Sequence, residues 1–206
     1  MIWKFAERIC ARVVSFVVTI LLARILMPED YSVVSIVVVF FALCNVFISG
    51  GMNAALIQKK NATLEDYSTV LYLNLAIAAV LYLVMFMCAP LIARLYDKSQ
   101  LVPIIRVMGL TFFANGLKSV LSAYLSNMLD FKQFFMSTII GTVVSAVVGI
   151  VMALQGLGAW ALVAQEMTNT VLDTLILYLS TRMKFIRVFS LERIRSLFSY
   201  GYLFLP

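Results

Sequence analysis

The sequence contains no histidine, which removes the commonest general base and metal ligand. Cysteine is scarce. Cys10, Cys44 and Cys88 lie in or beside apolar runs without metal-ligand spacing, and they read as small buried hydrophobes rather than a metal centre or disulfide framework. Charge is sparse, at 13% of residues. There is no Ser/His/Asp set, P-loop or glycine-rich nucleotide turn. The chain is therefore not read as an enzyme, and no metal or cofactor is expected. A signal peptide is not visible either, because the first apolar run has no small-residue cleavage site behind it and ends at Pro28.

What is present is apolar surface. Of 206 residues 63% are hydrophobic, and the mean hydropathy is +1.01. A soluble domain of this size cannot hide so much apolar surface, so the reading is an all-α integral membrane protein. A spanning helix needs about 20 mostly apolar residues, and six runs qualify: Ile9–Met27, Tyr31–Ser49, Tyr67–Met87, Leu101–Ser122, Phe134–Leu154 and Trp160–Leu179. Between them lie "MPED", "SGG", "AP", "DFKQ" and "QGLG", where proline, glycine and charge punctuate the chain. Residues 1–181 form the six-span unit, 182–198 a basic amphipathic stretch suited to the membrane surface near Phe185–Ser196, and 199–206 the start of a seventh apolar run.

The net charge of +6 fits the positive-inside bias of membrane proteins better than nucleic-acid binding. With the N-terminus inside, the inner segments hold Lys4, Arg8, Lys59, Lys60, Lys132, Arg182, Lys184, Arg187, Arg193 and Arg195, and the outer ends only Arg24, Arg94 and Lys98. Asn61-Ala62-Thr63 then faces the cytoplasm, and its match to a glycosylation sequon is chance.

Several polar residues fall inside the spans. Glu166, Asn169 and Asp173 sit at i, i+3 and i+7 of the sixth span, flanked by Gln165, Thr170 and Thr174. A carboxylate at the bilayer centre costs roughly 2.5–3.5 kcal/mol on insertion scales, so the stripe must face other helices or water. Two readings stand: a packed hydrogen-bonded cluster, or a water-filled cavity. The cavity is favoured because the first span carries a second stripe, Arg8, Arg12, Ser15 and Thr19. Snorkelling to the headgroups competes for Arg8, Arg12 and Arg24. Arg106 and Lys118 in the fourth span, the latter near Asn115, Ser119 and Ser122, carry the same two readings. In the fifth span Gly141, Ser145 and Gly149 have the small-xxx-small spacing of close helix packing. Cations in the first and fourth spans and acids in the sixth outline an electropositive, hydrated cleft suited to an anionic headgroup.

The stretches "LLARILMPEDYSVVSIVVVFFALCNVF", "AALIQKKNATLEDYSTVLYLNL", "APLIARLY", "AYLSNMLDFKQFF" and "GLGAWALVAQ" resemble the polysaccharide-transport branch of the flippase superfamily that also holds the multidrug exporters and the lipid II flippase. The resemblance runs from about Trp3 to Tyr200. It implies a flippase for a lipid-linked oligosaccharide, handling an undecaprenyl-pyrophosphate-linked glycan, in a bacterial cytoplasmic membrane. It implies two six-helix lobes with about twelve to fourteen helices in all, rocking about a central cleft. The chain then corresponds to the N-terminal lobe, with the C-terminal lobe missing, and with membrane lipids and a coupling ion, H+ or Na+, as further partners. Arg12 and Arg24 fall where the superfamily tends to place first-helix arginines. Ser32 stands where the family usually has glycine, Ser49-Gly50-Gly51 replaces an acidic-Leu-Gly pattern, and Asn127 sits where a basic residue is frequent. The cleft candidates are Arg12, Arg24, Arg106, Lys118, Glu166, Asn169 and Asp173. Rival readings are a drug or lipid II exporter, a membrane glycan polymerase or ligase, which would need large outer loops, and a truncated scaffold that transports nothing.

Overall fold

The computed structural model describes residues 16–49, 56–57, 63–128 and 131–181. They are helical, with no strand among them: α1 (Phe16–Ile25), α2 (Pro28–Ser49), α3 (Leu64–Leu95), α4 (Leu101–Met108), α5 (Thr111–Met128), α6 (Phe131–Leu154) and α7 (Ala159–Thr181). Arg8, Arg12, Cys10 and the stretches 182–198 and 199–206 lie outside the described residues. Successive passes run up and down, which gives the bundle two ends. One carries Pro28, Lys98 and Gly158; the other carries Thr63, Met128 and Thr181.

Four runs are long and apolar enough to cross a bilayer: α2, α3, the α4–α5 run Leu101–Met128, and α6. The helix α1 is shorter over its described residues. At 23 residues α7 has the length, but its polar stripe keeps it out of the apolar set.

Helix starts follow local chemistry. Pro28 opens α2 with Glu29 and Asp30 in the first turn, where the fixed proline φ and the helix dipole suit them. Thr63 caps α3 in a capping box: its backbone N–H donates to Asp66 Oδ2 at 2.9 Å and its hydroxyl accepts from the Asp66 N–H at 3.4 Å. The helix therefore begins at Leu64, earlier than Tyr67. It also ends later. A break was expected at Ala89-Pro90, yet α3 continues through Pro90 to Leu95, because Ala89 just before the proline and Ile92 and Ala93 beyond it are buried in the core.

The fourth span is also corrected. It is two helices, parted at Gly109-Leu110, with Thr111 Oγ1 donating to the Met108 carbonyl at 2.7 Å. A Cβ on Gly109 would come within 2.7 Å of the Tyr82 ring, so this turn is pressed onto α3. The second piece runs on to Met128, beyond the expected end at Ser122.

The apolar core is layered. Toward the Pro28 end, α2, α3, α4 and the first turns of α5 and α7 bury one cluster, including Phe41 against Phe112 with ring centroids 4.6 Å apart. Toward the Thr63 end, Leu56, Tyr67, Val70, Val120, Leu121 and Leu177 bury a second. Val18 and Leu22 of α1 join Ala146 and Ala153 of α6 and Ala161 of α7 in a third. Between the first two lies a polar layer. There Asn74 Nδ2 donates to the Gly116 carbonyl at 3.5 Å, and Thr174 Oγ1 to the Thr170 carbonyl at 2.7 Å and the Ala114 carbonyl at 3.3 Å. Buried polar groups need such partners, above all where water is excluded.

Candidate functional site

The polar layer opens on one side into a groove of about 470 Å³, lined by Asn45, Ile57, Asn115, Lys118, Ser119, Ser122, Ala123 and Ser126. Asn115, Lys118, Ser119, Ser122 and Ser126 recur every three or four residues, so one face of α5 supplies most of the lining. Asn115 Nδ2 donates to Asn45 Oδ1 at 3.1 Å, fastening α5 to α2. The opposite face of α5 borders an apolar groove of about 510 Å³, between Leu71 and Leu75 of α3, Phe113, Ala114 and Leu117 of α5, and Val171, Thr174, Leu175 and Tyr178 of α7.

Lys118 does not reach for the membrane surface. Its ammonium turns to α7 and meets Asp173 Oδ2 at 2.5 Å. The Asp173 side chain is 6% exposed and that of Lys118 38%. The pair thus has one dry partner and one that borders the groove. It stands eight residues from the C-terminus of α7, about 12 Å along the axis. The other carboxylate oxygen, Oδ1, is buried and accepts no hydrogen bond among the described residues. Glu166, about two turns away on α7, is exposed and within electrostatic reach of Lys118. Both acids of the stripe therefore act on one cation from a neighbouring helix.

The rest of the stripe packs. A Cβ on Gly141 would lie 3.3 Å from Asn169 Oδ1 and 3.4 Å from Asp173 Cβ, and one on Gly149 would lie 3.0 Å from Gln165 Cβ. The glycines of α6 thus form the trough that receives Gln165, Asn169 and Asp173, as their spacing predicts. Asn169 and Asp173 pack against α6, and the open side of the cluster is the α5 face.

A family model described as polysaccharide biosynthesis protein matches residues 21–205. The chain belongs to the polysaccharide biosynthesis protein family. It is 27% identical over 201 residues to the succinoglycan biosynthesis transport protein ExoT of Rhizobium meliloti (strain 1021), covering 97% of this chain and 41% of that protein. It is 23% identical over 143 residues to the teichuronic acid biosynthesis protein TuaB of Bacillus subtilis (strain 168), covering 69% and 30%. Over 115 residues it is 24% identical to the lipopolysaccharide biosynthesis protein WzxC of Escherichia coli (strain K12), covering 56% and 23%. The chain thus spans about two fifths or less of the length of these curated relatives. No solved structure matches it. With its four runs long and apolar enough to cross a bilayer, the chain is a multi-pass membrane member of this family, and of these relatives ExoT carries a transport name.

In this polysaccharide biosynthesis protein the other candidate cations lie apart from the groove. Arg24 is exposed near the end of α1. Arg106 on α4 stacks over the Phe86 ring, 4.2 Å from its centroid, with its Nε buried and unpartnered. Of the expected set, Lys118, Glu166, Asn169 and Asp173 are brought together, Arg24 and Arg106 are not, and Arg12 is not described. Sequence reasoning passed over Asn45, whose signal is a lone amide in "VVVFFALCNVF", and Ser126, one turn beyond the serines it noted.

It also treated "MPED" and "QGLG" only as breaks. They touch. Asp30 Oδ1 accepts from the Ala159 N–H at 2.9 Å, capping α7, while Oδ2 accepts from the Met27 N–H at 3.3 Å. A Cβ on Gly158, whose φ is +54°, would come within 2.7 Å of Asp30 Oδ1. Beside this clasp Lys98 Nζ donates to Ser32 Oγ. Asn127 Nδ2 donates to the Leu56 carbonyl at 3.0 Å and to the Tyr67 hydroxyl at 2.6 Å, so at this position an amide ties α5 to α3.

Proposed function

We propose that this chain is one six-pass lobe of a flippase that carries a lipid-linked oligosaccharide across a bacterial cytoplasmic membrane by alternating access. The observation that carries the reading is the Lys118 groove. A cation borders an open polar groove at mid-bundle, while an apolar groove runs along the opposite face of the same helix. That pairing suits an amphiphile whose anionic linkage needs a charge and whose tail needs apolar surface. The transport name of ExoT and the polysaccharide names of TuaB and WzxC support it.

In this reading α1 and α7 complete the six passes begun by the four apolar runs. The Lys and Arg distribution supports a cytoplasmic N-terminus. Rocking needs an opposing body, supplied by a second lobe in the greater length of relatives such as ExoT. Coupling to H+ or Na+ completes the cycle.

The test is complementation of a strain that lacks its own polysaccharide flippase. The complete protein restores surface polysaccharide, whereas the 206-residue stretch alone and the complete protein with Lys118→Ala do not. Restoration by the stretch alone overturns the two-lobe mechanism, and full export by Lys118→Ala removes the groove from it.

A further inference from the structure

One cation inside the spans has no acid beside it. Arg106 makes no ion pair or hydrogen bond among the described residues. Its guanidinium lies over the Phe86 ring, 4.2 Å from the centroid. Its Nε is buried and unpartnered, while its two terminal nitrogens are not buried. Tyr82 braces the ring from behind, with centroids 5.9 Å from Phe86 and 5.9 Å from Phe113. Around the pair, Leu83 and Met87 of α3 and Leu110 after α4 are exposed. A guanidinium keeps its charge in any setting, so on an apolar surface it needs an anion. Depth decides which anion. With 32 residues, α3 is about 48 Å long against a hydrocarbon layer of about 30 Å, which leaves roughly 9 Å beyond the layer at each end. Phe86 stands nine residues before Leu95, about 13 Å along the axis, and Arg106 five residues after Leu101, about 7 Å. The stacked pair therefore lies at the boundary between headgroups and acyl chains.

We propose that Arg106 and Phe86 form the headgroup site of a bound anionic phospholipid, in the leaflet at the Pro28 end of the bundle. The phosphate accepts hydrogen bonds from the open terminal nitrogens, whose fork suits two phosphate oxygens. Phe86 holds the guanidinium face-on and so keeps it at this level, where a free arginine would extend into water. The acyl chains lie along Leu83, Met87 and Leu110, an apolar surface that a soluble anion does not use. A lipid with net negative charge is preferred to a zwitterionic one. No described acid offsets Arg106, so the ammonium of a zwitterionic headgroup is repelled there rather than paired. The site is separate from the Lys118 groove, which begins farther along at Asn115 of α5, and it needs no transport step. The lipid would fasten the seam between α3 and α4, next to the division at Gly109-Leu110.

The test is lipid titration of the complete protein in mild detergent, with bound lipids counted by native mass spectrometry. Phosphatidylglycerol is compared with phosphatidylethanolamine of the same acyl chains. The expected result is one phosphatidylglycerol bound at least about tenfold more tightly, as one charge-assisted hydrogen bond supplies. Arg106→Gln loses that preference, and Phe86→Leu, which keeps the cation but not the ring, weakens it. Arg94→Gln, which removes an exposed arginine near the end of α3, leaves it unchanged. A large molar excess of inorganic phosphate does not displace the lipid. A wild-type protein with no preference for phosphatidylglycerol overturns the site, whether or not the variants fold. So does a preference that survives in Arg106→Gln, or one that falls as far in Arg94→Gln. Displacement by inorganic phosphate overturns the lipid assignment in favour of a free-anion site.

Discussion

Removing either member of the Lys118–Asp173 pair has unequal consequences. Breaking a buried ion pair by deleting one partner costs about 3–5 kcal/mol, because the other charge is left stranded. Lys118→Met strands Asp173, whose side chain is 6% exposed. That loss is about 3 kcal/mol. Asp173→Asn keeps the shape beside Gly141 and strands Lys118, which is 38% exposed. The long stem can carry that charge toward the groove mouth, so the loss is about 1 kcal/mol. The double variant strands nothing and costs less than Lys118→Met alone. Reversible unfolding in mixed micelles, run as a double-mutant cycle at neutral pH, measures all three. The reasoning is refuted if Asp173→Asn is as damaging as Lys118→Met, or if the two losses simply add.

Three further outcomes are expected. Gly158→Ala and Gly156→Ala both force alanine to positive φ, +54° and +75°, but only Gly158 has a neighbour, Asp30 Oδ1 at 2.7 Å, where its Cβ would stand. Each incurs about 1–2 kcal/mol of backbone strain, and thermal unfolding shows the larger loss for Gly158→Ala; equal losses dismiss the clasp. Asp30→Ala removes the cap of α7 and costs about 1 kcal/mol by the same measurement, and an unchanged stability contradicts the capping role. In a cysteine-free background, Lys98→Cys is labelled by an impermeant thiol reagent from outside the cell, and labelling only from the cytoplasmic side reverses the orientation.

Much of the bundle is legible in hydropathy and punctuation, because a spanning helix must be apolar over its length and loops must interrupt it. The Gly141–Gly149 trough is legible too, since close packing requires small residues at fixed spacing. Pro90 misleads because the lost hydrogen bond and the ring's clash with the carbonyl four residues back, which disfavour proline in a helix, are outweighed by burial of Ala89, Ile92 and Ala93. The division at Gly109 is hidden because its cause, the Tyr82 ring, comes from another helix. Long-range partnerships are invisible for the same reason. Nothing near Lys118 in sequence announces Asp173, and nothing in "MPED" announces Gly158. Sequence periodicity locates a polar face; which groups meet across that face is decided by the register of helices many residues apart.

The central claim is that Lys118 in the α5 groove engages the anionic part of a lipid-linked oligosaccharide during its passage. The most direct measurement is leaflet-to-leaflet transfer of a fluorescent polyprenyl-pyrophosphate oligosaccharide in proteoliposomes of the complete protein. Wild type and Arg94→Ala are predicted to transfer it at similar rates, whereas Lys118→Met falls at least about tenfold, the loss of roughly one charge-assisted hydrogen bond of about 1.5 kcal/mol. Transfer by Lys118→Met at the wild-type rate, at equal reconstituted amounts, contradicts it.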